Sequence, residues 1–285
     1  MEYDFVVVGG GSAGYAGART AVDLGLRTAV IEGGRDIGGL CILRGCMPSK
    51  TLLESARRFR VLQRAGEFGL GLDHPRFDVG AIIERKKRLV GEFADYRKGQ
   101  LEAGRFEFIR GDAVFLSPNE VSVHQADGTE RIIRSKTFLL ATGSKIAIPP
   151  VLGLAEAGCL TSDDMLDRTE IPDSLIVLGG GPVALELASY CRAFGSRVTL
   201  IQRSPHILSS TDADVAGALE VALREDGIEI HTRTRLIRVE KNDQVRRVVF
   251  EKDGVEIAVE AAHILNALGR SPQLAGPENL GLQIR

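Results

Sequence analysis

Residues 6–17 read VVVGGGSAGYAG. A buried-strand pattern, DFVVV at 4–8, runs into Gly9, Gly11 and Gly14, and a helical pattern follows from about Ser12 to Leu24. In a strand–turn–helix unit each glycine has a separate use. The first permits the tight turn, the second lets a pyrophosphate approach the backbone, and the third allows close packing of helix on strand. Ser12, expected as N-cap, and Ala13 begin a helix whose free N–H groups attract anions. The next strand, Thr28 to Ile31, ends at Glu32, about 20 residues on, where a carboxylate binds ribose hydroxyls. The alternative is a glycine-rich turn without a ligand, which the strand, helix and acid together argue against.

The pattern restarts at 176–188, IVLGGGPVALELA. Gly179, Gly181 and Ala184 keep the spacing, with Ala a tolerated third residue. Pro182, Val183 and Glu186 fall in the helix that follows, read as Val183 to Phe194. The strand Arg197 to Ile201 then ends at Gln202 and Arg203 rather than at an acid. Arg at this point accommodates the 2′-phosphate of NADP, so NADPH is preferred over NADH; the alternative is a solvated surface charge. Two strand–helix–strand units roughly 170 residues apart imply two Rossmann-like dinucleotide-binding domains of the α/β class. The expected boundaries are 1–148 and 149–266, with 267–285 starting a return to the first domain. The prolines of SKIAIPPVLGL mark the crossing.

Between the two units lies GGLCILRGCMPSK, residues 38–50. Cys41 and Cys46 are too widely spaced for a CxxC motif and have no second pair for a zinc cluster. No metal site is expected. A helix opening here and running through TLLESARRF lowers the pKa of a thiol at its start. Lys50, four residues after Cys46, shares a helical face with it. Two buried structural cysteines are the bland alternative. A dithiol set between two dinucleotide sites instead implies electron flow from one cofactor, through another, to a disulfide.

Composition narrows the remaining classes. With 285 residues, 44% hydrophobic and 26% charged, the chain suits a globular protein of two domains. A net charge of −2, no tryptophan and few aromatics give nucleic acid no partner surface. No apolar run reaches a membrane span and no leader pattern precedes the first strand, so a cytoplasmic location is expected. Cys159 and Cys191 are read as packing residues. The run Glu84-Arg85-Lys86-Lys87-Arg88 is read as a solvated helix face on a helix spanning about 79–103.

These motifs resemble the class I pyridine nucleotide-disulfide oxidoreductases, which include dihydrolipoamide dehydrogenase, glutathione reductase and mercuric reductase. The resemblance rests on both fingerprints, GGLCILRGCMPSK, ATG at 141–143, Glu186, and NALGRSP at 266–272. It implies FAD at Gly9, Gly11, Ser12, Ala13, Gly14, Glu32, Gly39, Lys50, Thr142, Gly143 and Ser144, with Ala113 near the adenine. It implies NADPH at Gly179, Gly181, Pro182, Val183, Glu186, Gln202 and Arg203, with Gly269 close by. Cys46 is then the flavin-proximal thiol, Cys41 the interchange thiol, and Glu186 the partner of Lys50. Hydride passes from nicotinamide to flavin, and electrons then pass to the Cys41–Cys46 disulfide. The substrate implied is a dithiol/disulfide, or a metal ion.

The sequence departs from that family at Leu40 and Leu43, where threonine and asparagine are usual, and at Pro182, where some relatives carry tyrosine. Both leucines make the thiol surroundings more apolar, which raises a thiol pKa. Relatives also continue beyond NLGLQIR, residues 279–285, into a homodimer interface domain that supplies a His–Glu acid–base pair. None of the five histidines here has that context. The expectation is therefore a piece of a longer protein, with reduced FAD affinity and poor disulfide turnover. The rival readings are a nucleotide-binding fragment without turnover and a flavin reductase that does not use the dithiol.

Overall fold

The computed structural model describes residues 2–242, 245–274 and 280. In chain order its elements are β1 (Tyr3–Val8), α1 (Ser12–Asp23), β2 (Thr28–Glu32), α2 (Gly39–Leu43), α3 (Cys46–Gln63), α4 (Val79–Glu102), β3 (Glu107–Arg110), β4 (Asp112–Ser117), β5 (Glu120–His124), β6 (Glu130–Leu140) and β7 (Ser144–Ile146). There follow α5 (Ser162–Asp167), β8 (Ser174–Leu178), α6 (Pro182–Ala193), β9 (Arg197–Ile201), α7 (Ala213–Glu225), β10 (Glu229–His231), β11 (Thr234–Lys241), β12 (Arg246–Lys252), β13 (Val255–Ala261), β14 (His263–Asn266) and β15 (Arg270–Pro272). Packing divides the chain into two units. One comprises Met1–Met47, Arg88–Lys145 and Ser271–Arg285; the other comprises Pro48–Lys87 and Ile146–Arg270. Residues 275–279 and 281–285 of the expected return segment lie outside the described residues.

The first unit is built on a six-stranded sheet, ordered β3-β2-β1-β6-β5-β4. β3, β2, β1 and β6 run parallel, and β6, β5 and β4 form an antiparallel meander. β1 shows why its sequence is an unbroken apolar run: it is buried on both faces, as central parallel strands are. Val7 joins Val30, Ala18 and Leu101 on the face covered by helices. Val6 and Val8 join Ile31, Phe115, Val121 and Ile133 on the other. The strand's period of two sorts neighbouring valines into separate cores.

In the second unit a parallel sheet, ordered β10-β9-β8-β14, repeats the arrangement. Leu175 and Val177 of β8 face a core that includes Leu52, Leu187 and Leu200. Ile176 and Leu178 face Val248 and Phe250 of the antiparallel sheet β11-β12-β13. Phe59, Phe77 and Phe194 close the helical side with ring centroids 4.8–5.3 Å apart. The two strand–helix–strand units and their parallel sheets make this an α/β protein of two Rossmann-like dinucleotide-binding folds.

Two local expectations are corrected. Gly11, in extended conformation, is the N-cap of α1, and Ser12 is its first helical residue. A side chain at the cap would stand where the loop keeps bare backbone. Lys86 is not part of a solvated face: it is 5% exposed, and its ammonium pairs with Asp167 at 2.5 Å. It lies one turn after the buried Ile83 on α4, so its stem is carried into the core and the charge reaches a carboxylate at the edge.

Candidate functional site

The two glycine loops have one geometry. Gly9 (φ +107°) and Gly179 (φ +111°) both occupy backbone that only glycine adopts without strain. The Gly9 N–H donates to the Ile31 carbonyl at 2.8 Å, and the Gly179 N–H to Ile201 at 2.9 Å. A Cβ on Gly9 would lie 2.3 Å from the Ala141 carbonyl oxygen, and one on Gly179 would lie 2.4 Å from that of Ala267. ATG and NALG are therefore the same structural piece: each third strand ends against the turn of its own unit.

The middle glycines stay open. A Cβ on Gly11 would meet only the Gly39 Cα, at 3.5 Å, and one on Gly181 would meet nothing within 4 Å. The N-termini of α1 and α6 thus present bare backbone to solvent, which is what a phosphate needs for close approach. This fits a dinucleotide at each loop. Pro182 leads α6 at the position where a missing N–H costs nothing, and Val183 beside it is exposed.

Glu32 ends β2 with both carboxylate oxygens held. It accepts from the Gly10 N–H at 2.7 Å and from the Gly34 N–H at 2.6 Å, and keeps lone pairs for hydroxyl donors. Beside it lies a cleft of about 160 Å³, lined by Val8, Gly9, Ile31, Glu32, Gly33, Gly34, Gly111, Asp112, Ala113, Thr142 and Gln273. Arg110 pins the rim by donating to the carbonyls of Gly34 (2.5 Å) and Arg35 (3.3 Å). Thr142 donates to the Gln273 carbonyl, and the Gln273 N–H to the Gly143 carbonyl at 2.9 Å. Ser144 begins β7. Of the lining residues, Gly9, Glu32, Ala113 and Thr142 belong to the set expected from sequence; Gly33 and Gly34 follow Glu32 directly, while Asp112 and Gln273 are brought to the cleft by pairing between distant segments, which leaves no local signal.

In the second loop the place of Glu32 is taken by Gln202. It is buried, and its side chain sits where a Cβ on Gly180 would meet it at 3.0 Å, as Glu32 does at Gly10. Arg203, next along, is exposed. Gly269 accepts from the Ala147 N–H at 3.0 Å.

The cysteine segment packs directly on the first loop. Gly38 (φ +145°) and Gly39 (φ +68°) turn the chain, and a Cβ on Gly39 would lie 2.5 Å from the Gly11 Cα. Cys41 sits in α2 and is half-buried; Cys46 starts α3 and is exposed. Both are thiols in this structure. Leu40 is partly exposed, at 38%. One turn into α3, the Lys50 ammonium meets Glu186 Oε1 of α6 at 2.5 Å, and the Ser49 hydroxyl donates to Oε2 at 2.8 Å.

The other cysteines are placed for packing. Cys191 is fully buried in α6, and burial pushes its thiol up to about 12. Cys159 is half-buried and raised for the same reason. Among the described residues no cluster of His, Cys, Asp and Glu is arranged to hold a metal ion, and no helix is long and apolar enough to cross a membrane.

Comparison with known proteins agrees with this geometry. The profile of the pyridine nucleotide-disulphide oxidoreductase family matches residues 3–285. The chain is 35% identical over 272 residues to a mercuric reductase of Bacillus cereus, covering 95% of this chain and 42% of that one. It is 32% identical over 288 residues to a dihydrolipoyl dehydrogenase of Acholeplasma laidlawii, covering 99% of this chain and 83% of that one. Among solved structures it resembles the Cu(II) complex of the HOCl-induced flavoprotein disulfide reductase RclA from Escherichia coli. There the TM-score is 0.82 at 28% identity, over 100% of this chain and 61% of that one. The chain thus spans less than two thirds of some of these relatives. With duplicated glycine loops, a cysteine segment packed on the first and a family match along its length, the chain belongs to the pyridine nucleotide-disulphide oxidoreductase family.

Proposed function

We propose that this chain is the two-nucleotide part of an NADPH-dependent flavoprotein disulfide oxidoreductase. The observation that carries the reading is the packing of Gly39, two residues before Cys41, on the backbone of Gly11. It sets the thiol segment against the phosphate loop of the first nucleotide site.

FAD is the ligand proposed for a first nucleotide domain read over residues 1–148, and NADPH for a second read over 149–266, with 267–285 returning to the first. Bound FAD supplies a two-electron relay between NADPH and the Cys41–Cys46 pair. The residues of the chain supply the rest. The N-terminus of α1, at Gly11, Ser12, Ala13 and Gly14, holds the pyrophosphate, and Glu32 holds the ribose. Ala113 lies along the adenine, and Thr142, Gly143 and Ser144 support the flavin half. Gly179, Gly181, Pro182 and Val183 receive the second pyrophosphate, and Arg203, beside Gln202, reads the 2′-phosphate. Lys50 offers a positive charge to the reduced flavin, and Glu186 orients Lys50. Cys46 is the flavin-side thiol and Cys41 the thiol that exchanges with substrate. Reduction of the Cys41–Cys46 disulfide takes two electrons and two protons and leaves two thiols. The substrate class is a disulfide–dithiol couple, whose disulfide accepts the electrons, or a metal ion; relatives named dihydrolipoyl dehydrogenase and mercuric reductase span both. A dithiol that cycles suits a reducing compartment, hence the cytoplasm.

The test is a visible spectrum of the purified chain followed by anaerobic NADPH titration. A flavin spectrum that gains a long-wavelength charge-transfer band on reduction supports the reading, and the band should vanish in Cys46→Ser. A protein that takes up no FAD overturns it.

A further inference from the structure

Two carboxylates, not one, face the first cleft. Asp112 opens β4 directly across from Gly33, and its Oδ1 lies 2.1 Å from where a Cβ on Gly33 would stand. Residue 33 must therefore be glycine for Asp112 to keep its seat. Among the described residues no hydrogen bond or ion pair engages the Asp112 carboxylate, in contrast to Glu32, both of whose oxygens accept backbone N–H groups. Among the described residues no lysine or arginine lines the cleft. Arg110, the nearest guanidinium in sequence, is turned to the carbonyls of Gly34 and Arg35.

We infer that Asp112 is a specificity-determining residue that makes the first cleft reject an adenosine carrying a 2′-phosphate. The inference rests on the proposed nucleotide reading of this cleft. Glu32, fixed by the Gly10 and Gly34 N–H groups, already disfavours a phosphate, and Asp112 adds a second negative charge from the opposite rim. A second carboxylate across the rim, with no cation to offset it, leaves a phosphate dianion repelled from two sides in a partly enclosed space. The second loop has the opposite composition, with neutral Gln202 and cationic Arg203. The two sites are thus charge-coded, so that FAD and NADPH do not exchange places despite loops of identical geometry.

The test uses the purified chain loaded with FAD and follows flavin release by fluorescence. The competitors are ADP-ribose and 2′-phospho-ADP-ribose, and the readout is the ratio of their potencies in the same protein, so that any general loss of affinity cancels. In the unmodified chain ADP-ribose should compete at least tenfold better. Asp112→Asn, which keeps shape and loses charge, should narrow the ratio by about fivefold to tenfold. Gly33→Ala, which displaces the carboxylate without removing it, should narrow it in the same direction. A ratio that stays constant in Asp112→Asn and in Asp112→Ala overturns the inference while leaving the nucleotide reading intact. Failure of the unmodified chain to take up FAD overturns that reading, and the inference with it.

Discussion

The Lys50 ammonium lies 2.5 Å from Glu186 Oε1, tying α3 to α6 one helical turn past Cys46. The lysine side chain is 59% exposed and the glutamate 23%. An ion pair this open contributes at most about 1 kcal/mol to stability, because water screens it and two side chains lose freedom in making it. Its value lies in holding a charge at a defined place. Lys50→Met and Glu186→Gln should each leave the urea midpoint nearly unchanged, yet slow NADPH-driven flavin reduction roughly tenfold or more. Stopped-flow absorbance at the flavin band measures this. A full rate in both variants would remove the pair from the mechanism.

The glycine loops separate folding from binding. Gly179→Ala forces a Cβ to 2.4 Å from the Ala267 carbonyl oxygen, in a backbone conformation that already disfavours a side chain. A loss of about 2–4 kcal/mol is expected in chemical denaturation. Gly181→Ala meets nothing within 4 Å and should cost less than about 1 kcal/mol. It should still weaken NADPH at least tenfold, because its methyl group occupies the phosphate's approach. Calorimetric titration beside denaturation tells the two apart.

Thiol chemistry should sort Cys41, Cys46 and Cys191 by place. Cys41 and Cys46 are reached by solvent, whereas Cys191 is fully buried with its thiol pushed up to about 12. Alkylation of the native reduced protein near pH 8 should label the first two within minutes and Cys191 only after unfolding. Cys41→Ser and Cys46→Ser should each abolish NADPH-driven disulfide reduction and leave dye reduction in place. Survival of disulfide reduction in both variants would point to a flavin reductase that bypasses the dithiol.

Arg203 should set the choice of pyridine nucleotide. It is exposed at the end of the second loop, beside the buried and neutral Gln202. Arg203→Ala should lower the NADPH-to-NADH preference, read as a ratio of kcat/KM values, by about tenfold to a hundredfold. NADH values should barely move. An unchanged ratio would mark Arg203 as a solvated surface charge.

Stability should fall on mild acidification through His263. Burial, and then the charges of Arg168 and Arg246, hold its pKa below the usual histidine range. Its ring nitrogen lies 3.1 Å from Arg168 Nη2, a contact that suits the neutral ring as acceptor. The folded state therefore binds fewer protons than the unfolded chain, and stability rises with pH across this titration. The urea midpoint should drop as pH falls through about 6.5, the unfolded value. His263→Gln should flatten that part of the profile; an equally steep profile in the variant would assign the slope to another group.

Much of this protein was written locally. Strand, glycine spacing and helix recur at 6–17 and 176–188 because a tight turn, a bare backbone and close packing each demand their own small residue at a fixed offset. Apolar runs at 4–8 and 174–178 declared central parallel strands because both faces of such strands are covered. What tertiary structure decided is of another kind. That β4 sets Asp112 across from Gly33, that Gln273 closes on Thr142 and Gly143, and that Lys86 dives to Asp167 while its neighbours stay in water all depend on approaches between segments far apart in sequence. Such contacts follow from sheet order and helix packing, through-space consequences of the whole chain for which no local run of residues carries a period or a motif.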